Sequence, residues 1–221
     1  IATLDEHVGR VLHALQAADV ADRTLVVFTS DNGTTHPADA DSPFHVGGVD
    51  ARFFNSTAGL RGYKGSVYEG GLRVPAIVCL PGKIKAKSVC DAPSYFADWF
   101  PTLCEAVGLK LPDALDGESL WPLLCDKVAT LPHKPMIWVF PEYGGQVAVR
   151  LGDYKVVRQK LSTSRPGDWE VYDLAKDEAE QHNLAQSHAH VIAEAKVILR
   201  REVSENKRFP LVIPGVNDPA N

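Results

Sequence analysis

Several features are missing from this 221-residue sequence, and each absence narrows what it can be. No stretch approaches the roughly 18 consecutive apolar residues that a bilayer-spanning helix needs. The longest apolar runs are short segments such as Leu25–Phe28 and Pro75–Pro81. An excess of basic residues is lacking too. With 23 Lys and Arg against 28 Asp and Glu the formal net charge is -5, so the electrostatic footprint of a dedicated nucleic-acid binder is absent. The cysteines Cys79, Cys90, Cys104 and Cys125 form no CxxC pair and no zinc-ligand spacing, which leaves three disulfide connectivities or none. No internal repeat is evident. No secretory leader is visible either, and that leaves export open. What remains is 45% hydrophobic and 23% charged, the composition of a chain able to bury an ordinary globular core.

Periodicity supplies the elements. Leu4, Val8, Val11, Leu12 and Leu15 recur at helical spacing, which predicts an amphipathic helix over Leu4–Ala18 packed on a sheet. The run LVVF within Thr24–Ser30 is apolar on both faces, as expected of a central parallel strand, and Val74–Leu80 reads the same way. Between them, Asp31 to Arg73 is glycine-rich, weakly periodic and far longer than the usual connection of about 2 to 6 residues, a pattern that points to a functional loop. Phe96, Phe100, Leu103, Cys104 and Val107 mark a helix ended by Gly108, with Pro101 in its first turn if Asp98 is the cap. From Met136 onward the short runs MIWVF, QVAVRL, YKVVRQK and WEVYDL, separated by turn residues, predict an antiparallel meander. A closing helix over Ser187–Glu205 carries Val191, Ile192, Ala195, Ile198 and Leu199 on one face. The proline-bearing stretch Leu111–Pro135 is the candidate boundary, dividing an α/β part (residues 1–125) from a small antiparallel α+β subdomain (126–221).

Two places in the long loop offer chemistry. Asp31-Asn32-Gly33 follows the first strand, where ligands of α/β sheets bind, and offers a carboxylate and an amide oxygen to a hard cation such as Ca²⁺ or Mg²⁺. An Asx or type I′ turn is the plain structural alternative. GLRGYKGSVYEGG, from Gly59 to Gly71, sets Lys64 among five glycines, so that backbone approaches a ligand closely while a cation faces an anion. It is not a P-loop, since the Gly-x₄-Gly-Lys spacing fails and neither Ser nor Thr follows Lys64. A flexible surface loop is the alternative there. His45 and Arg61 share this loop and are candidate contacts for sugar hydroxyls or a second anion, with His36 weaker. The Trp residues 99, 121, 138 and 169 fall in predicted helix, strand or boundary segments and read as packing. Asn32-Gly33-Thr34 and Asn55-Ser56-Thr57 are sequons, although Asn32 cannot serve as both glycan anchor and metal ligand.

Taken together, VVFTSDNG, GLRGYKGSVYEGGLRVPAIVCLPGKI, DGESLWPLL, VRLGDYKVV and EVYDLAKDEAEQHNLA resemble, in order and spacing, the C-terminal half of the type I sulfatase family, from Leu4 to about Ala185. The resemblance implies an alkaline-phosphatase-like α/β fold that hydrolyses sulfate esters with one Ca²⁺ and a formylglycine made from Cys or Ser. On the matching positions, Asp31 and Asn32 resemble calcium ligands and Lys64 the lysine that holds a sulfate oxygen near the leaving group. Glu69 and Arg73 fall on motif positions expected to serve loop structure, and the charge run Asp177 to Glu180 resembles an acidic surface turn. FFNSTAGLRGYKG is similar to sulfatases acting on polysaccharides, so the implied substrate is a sulfated carbohydrate or an aryl sulfate ester. The same resemblance implies an exported protein.

The family's Cys/Ser-x-Pro-x-Arg nucleophile motif does not occur in these residues, and Cys90-Asp91-Ala92-Pro93 has the wrong spacing. Ile1 is no initiator and helical periodicity is already running at Leu4, so the chain reads as the C-terminal portion of a sulfatase, expected to be inactive alone. Asn32, where related phosphodiesterases tend to carry His, favours a sulfatase. The alternatives are a phosphomonoesterase or phosphodiesterase of the same superfamily, and a non-catalytic carbohydrate-binding relative.

Overall fold

The structure, a computed structural model, describes residues 1–35, 51, 53–131 and 133–218. Its helices and strands run in the order α1 (Ala2–Ala17), β1 (Val26–Thr29), α2 (Glu69–Leu72), β2 (Ala76–Cys79), α3 (Trp99–Ala106), α4 (Trp121–Leu124), β3 (Met136–Phe140), β4 (Gln146–Leu151), β5 (Tyr154–Arg158), β6 (Glu170–Asp173) and α5 (Ala189–Glu202). They belong to two compact units that are not consecutive in sequence. One comprises Ile1–Ser30 and Pro75–Lys134, the other Asp31–Val74 and Pro135–Asn221.

In the first unit α1 forms where the apolar periodicity places it, but none of its residues is buried, and Leu4 and Val11 are 56% and 60% exposed. The expected packing of this helix on a sheet is therefore not seen. β1 and β2 pair antiparallel, Val26 opposite Cys79 and Thr29 opposite Ala76, which corrects the expectation of parallel strands. An apolar run reports burial on both faces and carries no sign of direction, and a connection this long can return the chain to either end. Nor are these strands fully buried, for Ile77 is 62% exposed.

α3 is entered through a 3₁₀ turn, Phe96–Asp98, and carries Pro101 in its first turn, where a missing N–H costs nothing. It ends at Gly108 with φ of 73°, where Gly108 N–H donates to Glu105 O and Leu109 N–H to Cys104 O, a Schellman closure. Asp98 is fully buried but does not cap its own helix. Its carboxylate accepts the N–H groups of Tyr95 (2.8 Å) and Glu118 (2.9 Å) and lies 2.9 Å from His133 Nε2. Thr102 donates to Asp98 O (2.6 Å) and accepts from Leu120 N–H (2.8 Å). The proline-bearing stretch before β3 is thus tied into this unit rather than left as an open linker.

The second unit is built on the meander β3-β4-β5-β6, antiparallel throughout, as the sequence predicts. A two-residue turn, Gly152-Asp153, joins β4 to β5, with Gly152 at φ of 58° supplying the left-handed residue such hairpins require. Both faces of the sheet are covered. Val147, Val149, Val156 and Val171 pack with Val191, Ala195, Ile198 and Leu199 of α5, whose spacing makes one helical stripe. On the opposite face Ala148, Val157 and Tyr172 pack with Val67 and Tyr68, which belong to the long glycine-rich segment. Burial of these apolar groups is the main stabilising term, at about 25 cal/mol per Å² removed from water.

Candidate active site

The second unit brings Asp31-Asn32 and Lys64 into one local structure, and backbone does the joining. Gly33 N–H donates to Gly71 O (2.9 Å) and Lys64 N–H to Thr34 O (2.9 Å), laying residues 33–34 along the glycine-rich segment. The approach is possible only without side chains. A Cβ on Gly33 would fall 1.9 Å from Gly70 O, one on Gly70 2.2 Å from Gly62 O, and one on Gly71 2.2 Å from Ser66 O. These three glycines interlock three passes of backbone, which explains why the sequence between Gly59 and Gly71 is so poor in side chains.

Asp31 is exposed and lies two residues past the end of β1, while Asn32 and Gly33 are half-buried. Lys64 is exposed, and among the described residues no carboxylate pairs with it. Asp31 and Asn32 supply oxygen donors of the hard type Ca²⁺ prefers, but only two of the about 6 to 8 it takes. Among the described residues no group of three or more His, Cys, Asp or Glu side chains is assembled for a metal. In donor chemistry the pair is compatible with a calcium site, and further oxygen ligands would be needed to complete one.

The segment carrying Lys64 is held against the meander by polar groups: Glu69, which the resemblance assigned to loop structure, Glu180 of the acidic run, and Gln146 and Lys155, to which the sequence reading gave no role. The Gln146 side chain, almost fully buried on β4, donates from Nε2 to Gly65 O (2.8 Å) and accepts at Oε1 from Val67 N–H (3.3 Å) and Gln159 Nε2 (2.9 Å). It therefore grips the chain immediately after Lys64. Glu69, in α2, meets Lys155 of β5, whose ammonium is wholly buried, at 2.7 Å. Glu180 is buried alongside. Its Oε2 accepts Glu69 N–H (2.7 Å), and its Oε1 lies 3.0 Å from Lys155 Nζ without an aligned hydrogen bond. Burial pushes the Glu180 pKa up, against the opposing pull of Lys155 and the Glu69 N–H.

The expectation that Asp177 to Glu180 forms a solvated surface run is thereby corrected, because Glu180 is 1% exposed. Asp177 instead orders the turn, accepting Gln181 N–H (3.0 Å) and His182 N–H (2.7 Å). Nothing local in the sequence signals this burial, since the partner cation lies on a strand far earlier in the chain. A lysine in the apolar strand run YKVVR is the one available hint.

Arg61 is committed inside the unit. Its guanidinium sits 3.8 Å from the centre of the Tyr68 ring and donates to Tyr172 Oη (2.6 Å) and Glu180 O (3.1 Å). Tyr68 and Tyr172 both donate to Glu170 Oε2, at 2.7 and 2.5 Å, and burial followed by the Glu170 charge raises the pKa of both phenols. Arg73 pairs with Glu178 at 2.7 Å in solvent. His45 and His36 lie outside the described residues. All four cysteines are free thiols.

Comparison with known proteins agrees with this anatomy. A family model described as N-sulphoglucosamine sulphohydrolase, C-terminal, matches residues 62–208, and the Sulfatase model matches residues 1–109. A sulfatase of Formosa agariphila is 32% identical over 83% of this chain and 34% of its own length. An N-acetylglucosamine-6-O-sulfatase of Bacteroides thetaiotaomicron is 28% identical over 83% of the chain and 30% of its own. Among solved structures, Ps i-CgsB superposes with a TM-score of 0.70 at 25% identity, over 89% of this chain and 40% of that one. A Bacteroides thetaiotaomicron structure from a locus for metabolism of multiple glycosaminoglycans gives 0.68 at 26%, over 90% and 42%. The fold is thus the α/β architecture of sulfatases, related to alkaline phosphatase. The chain belongs to the sulfatase family. It spans about a third of the length of the curated relatives named here.

Proposed function

We propose that the protein carrying this chain hydrolyses sulfate esters of a carbohydrate, with Lys64 acting on the sulfuryl group and Asp31 and Asn32 as two ligands of one Ca²⁺. The observation that supports this reading is the backbone junction of Gly33 with Gly71 and Thr34 with Lys64, which joins the segment bearing two hard oxygen donors to the one bearing an exposed lysine that, among the described residues, has no carboxylate partner. A sulfate ester reacts by gaining negative charge on its oxygens and leaving group, so a preorganised cation stabilises the transition state more than the ground state. Calcium, when bound, would polarise the sulfuryl oxygens and the attacking group. Lys64 would bind a sulfuryl oxygen next to the departing alkoxide. The Gln146 grip on Gly65 and Val67 holds the backbone from which Lys64 extends. The proposed nucleophile is a formylglycine on a Cys/Ser-x-Pro-x-Arg motif, which these 221 residues do not contain.

A carbohydrate substrate is supported by the names of the relatives, an N-acetylglucosamine-6-O-sulfatase and a protein of glycosaminoglycan metabolism, and by the matched N-sulphoglucosamine sulphohydrolase model. Among the described residues no helix is long and apolar enough to cross a membrane. The test is Lys64→Ala in the complete protein. Loss of a charged hydrogen bond made in the transition state lowers kcat/KM by roughly 30- to 1000-fold, about 2 to 4 kcal/mol, with the melting temperature unchanged. Near-normal turnover by Lys64→Ala would remove Lys64 from the site and take this reading with it.

A further inference from the structure

The turn between β3 and β4 contains an aromatic residue that the reaction described above does not use. Tyr143 is 74% exposed, yet its surroundings are built. Its ring stacks on Phe140, with centroids 5.8 Å apart and planes 20° from parallel. It also lies against Gly65, where a Cβ would come 3.2 Å from Tyr143 Cε2 and 3.3 Å from Cζ. Gly65 is the residue after Lys64, and Gln146 holds its carbonyl. The ring therefore lies against the residue next to the proposed sulfuryl-binding lysine, and the absence of a side chain at Gly65 gives it room.

The backbone is strained to achieve this. Tyr143 has φ of 51°, followed by Gly144 at 84° and Gly145 at 77°. A bulky residue in the left-handed region costs on the order of 1 kcal/mol, and such strain gathers where a side chain is needed in a particular place. The turn is tied down on its other side, Leu161 N–H donating to Gly145 O (3.0 Å) and Ser162 N–H to Gly144 O (2.9 Å). A Cβ on Gly145 would meet Leu211 Cδ1 and Ser162 Oγ at 2.7 Å, so the turn cannot slide. A tyrosine ring this exposed contributes little to packing. It is suited to a ligand that is apolar on one side and polar on the other.

We propose that Tyr143 is a sugar-binding platform of this site, stacking under the pyranose ring of the sulfated carbohydrate while Lys64 holds its sulfate. The proposal rests on the sulfate-ester reading for the identity of the ligand. The electron-rich face of the phenol attracts the polarised axial C–H groups of a pyranose, and the tyrosine hydroxyl at its rim suits the wet edge of a sugar. Tyr143 thereby contributes to substrate selectivity, and acid–base chemistry is left to other groups.

The test uses the complete protein with Tyr143→Ala and Tyr143→Phe. Binding of heparan, chondroitin and carrageenan sulfate tetrasaccharides is measured directly by calorimetry. Binding of inorganic sulfate, which has no ring to stack, is measured separately by the same method. Tyr143→Ala is expected to weaken the tetrasaccharide that wild type binds best by about tenfold, while Tyr143→Phe stays within about twofold. The affinity of Tyr143→Ala for inorganic sulfate should change by less than about twofold, because the sulfate has no ring to stack and Lys64 is undisturbed. Equal tetrasaccharide binding by wild type and Tyr143→Ala overturns the proposal, as does wild type that binds none of the tetrasaccharides. A parallel loss of inorganic sulfate binding also overturns it, since the ring would then only be propping Gly65. Wild type that cleaves no sulfate ester defeats the catalytic reading alone, and the calorimetric comparison of Tyr143→Ala still decides the platform.

Discussion

The two faces of the four-stranded meander are covered by opposite means. Toward α5 the contacts are valines, an alanine, an isoleucine and a leucine, all apolar. Toward the glycine-rich segment, Val67, Tyr68 and Leu174 share the surface with buried Gln146, Lys155, Glu69 and Glu180 and with the Arg61–Tyr172–Glu170 group. Apolar burial is strong and non-directional, so it holds a helix without dictating its register to a fraction of an ångström. Hydrogen bonds and ion pairs in a desolvated setting add little net stability, but they tolerate only one arrangement. One face supplies stability and the other supplies placement, and the side carrying Lys64 is the placed one.

Disabling the polar face gives the largest expected effect. Lys155→Met leaves Glu69 and Glu180 buried without their cation and should cost about 3 to 5 kcal/mol in chemical denaturation. Adding Glu69→Gln and Glu180→Gln should recover most of that loss. Hydrogen exchange should quicken across Gly65–Leu72 in Lys155→Met. On the apolar face Leu199→Ala should cost about 3 kcal/mol, within the range for buried leucines, and leave exchange at Gly65–Leu72 unchanged. If both variants loosen that segment equally, the division of labour between the faces fails.

A smaller effect follows from protonation. Burial raises the folded-state pKa of Glu180 above the unfolded value of about 4.3, so the native protein binds more protons than the unfolded chain between those two values. Stability from this group therefore falls as pH rises through that window. Glu180→Gln should flatten the slope, measured as urea midpoints from acid to neutral pH, and an unchanged slope would assign it to other carboxylates. The smallest effect belongs to Arg73→Ala. Its ion pair with Glu178 stands in solvent at 53% and 66% side-chain exposure, and its removal should shift stability by no more than about 0.5 kcal/mol. A larger shift would mean that exposed pairs also help to hold this face.

Much of this was readable from local pattern. The meander strands and α5 announce themselves by alternation and helical spacing, because each has to bury a defined face. α3 announces its end through Gly108. The β1–β2 pairing was not readable, since LVVF and AIVC carry the same apolar signature whichever way they run. The burial of Glu180 was hidden for a related reason. Its environment is set by Lys155 and Glu69, distant in sequence, while its own neighbours look like any acidic turn. Asp31, Asn32 and Lys64 were readable as candidates from their donor types and glycine-rich setting, and gained specific roles only from the family resemblance. The backbone junction that unites them depends on what Gly33, Gly70 and Gly71 lack, and a missing side chain leaves no periodic trace.

That junction also governs how the site can diversify. The bond from Lys64 N–H to Thr34 O closes a ring of chain, and the entropy of closing a ring grows only with the logarithm of its length. Doubling the chain between Thr34 and Lys64 would cost about 0.6 kcal/mol. A single methyl group on Gly33 or Gly70 would instead drive carbon into a carbonyl oxygen at 1.9 or 2.2 Å. Loop closure is thus tolerant of added length, and the junction is brittle under substitution. The segment can therefore be lengthened while the backbone junction at Gly33, Gly70 and Gly71 keeps its form.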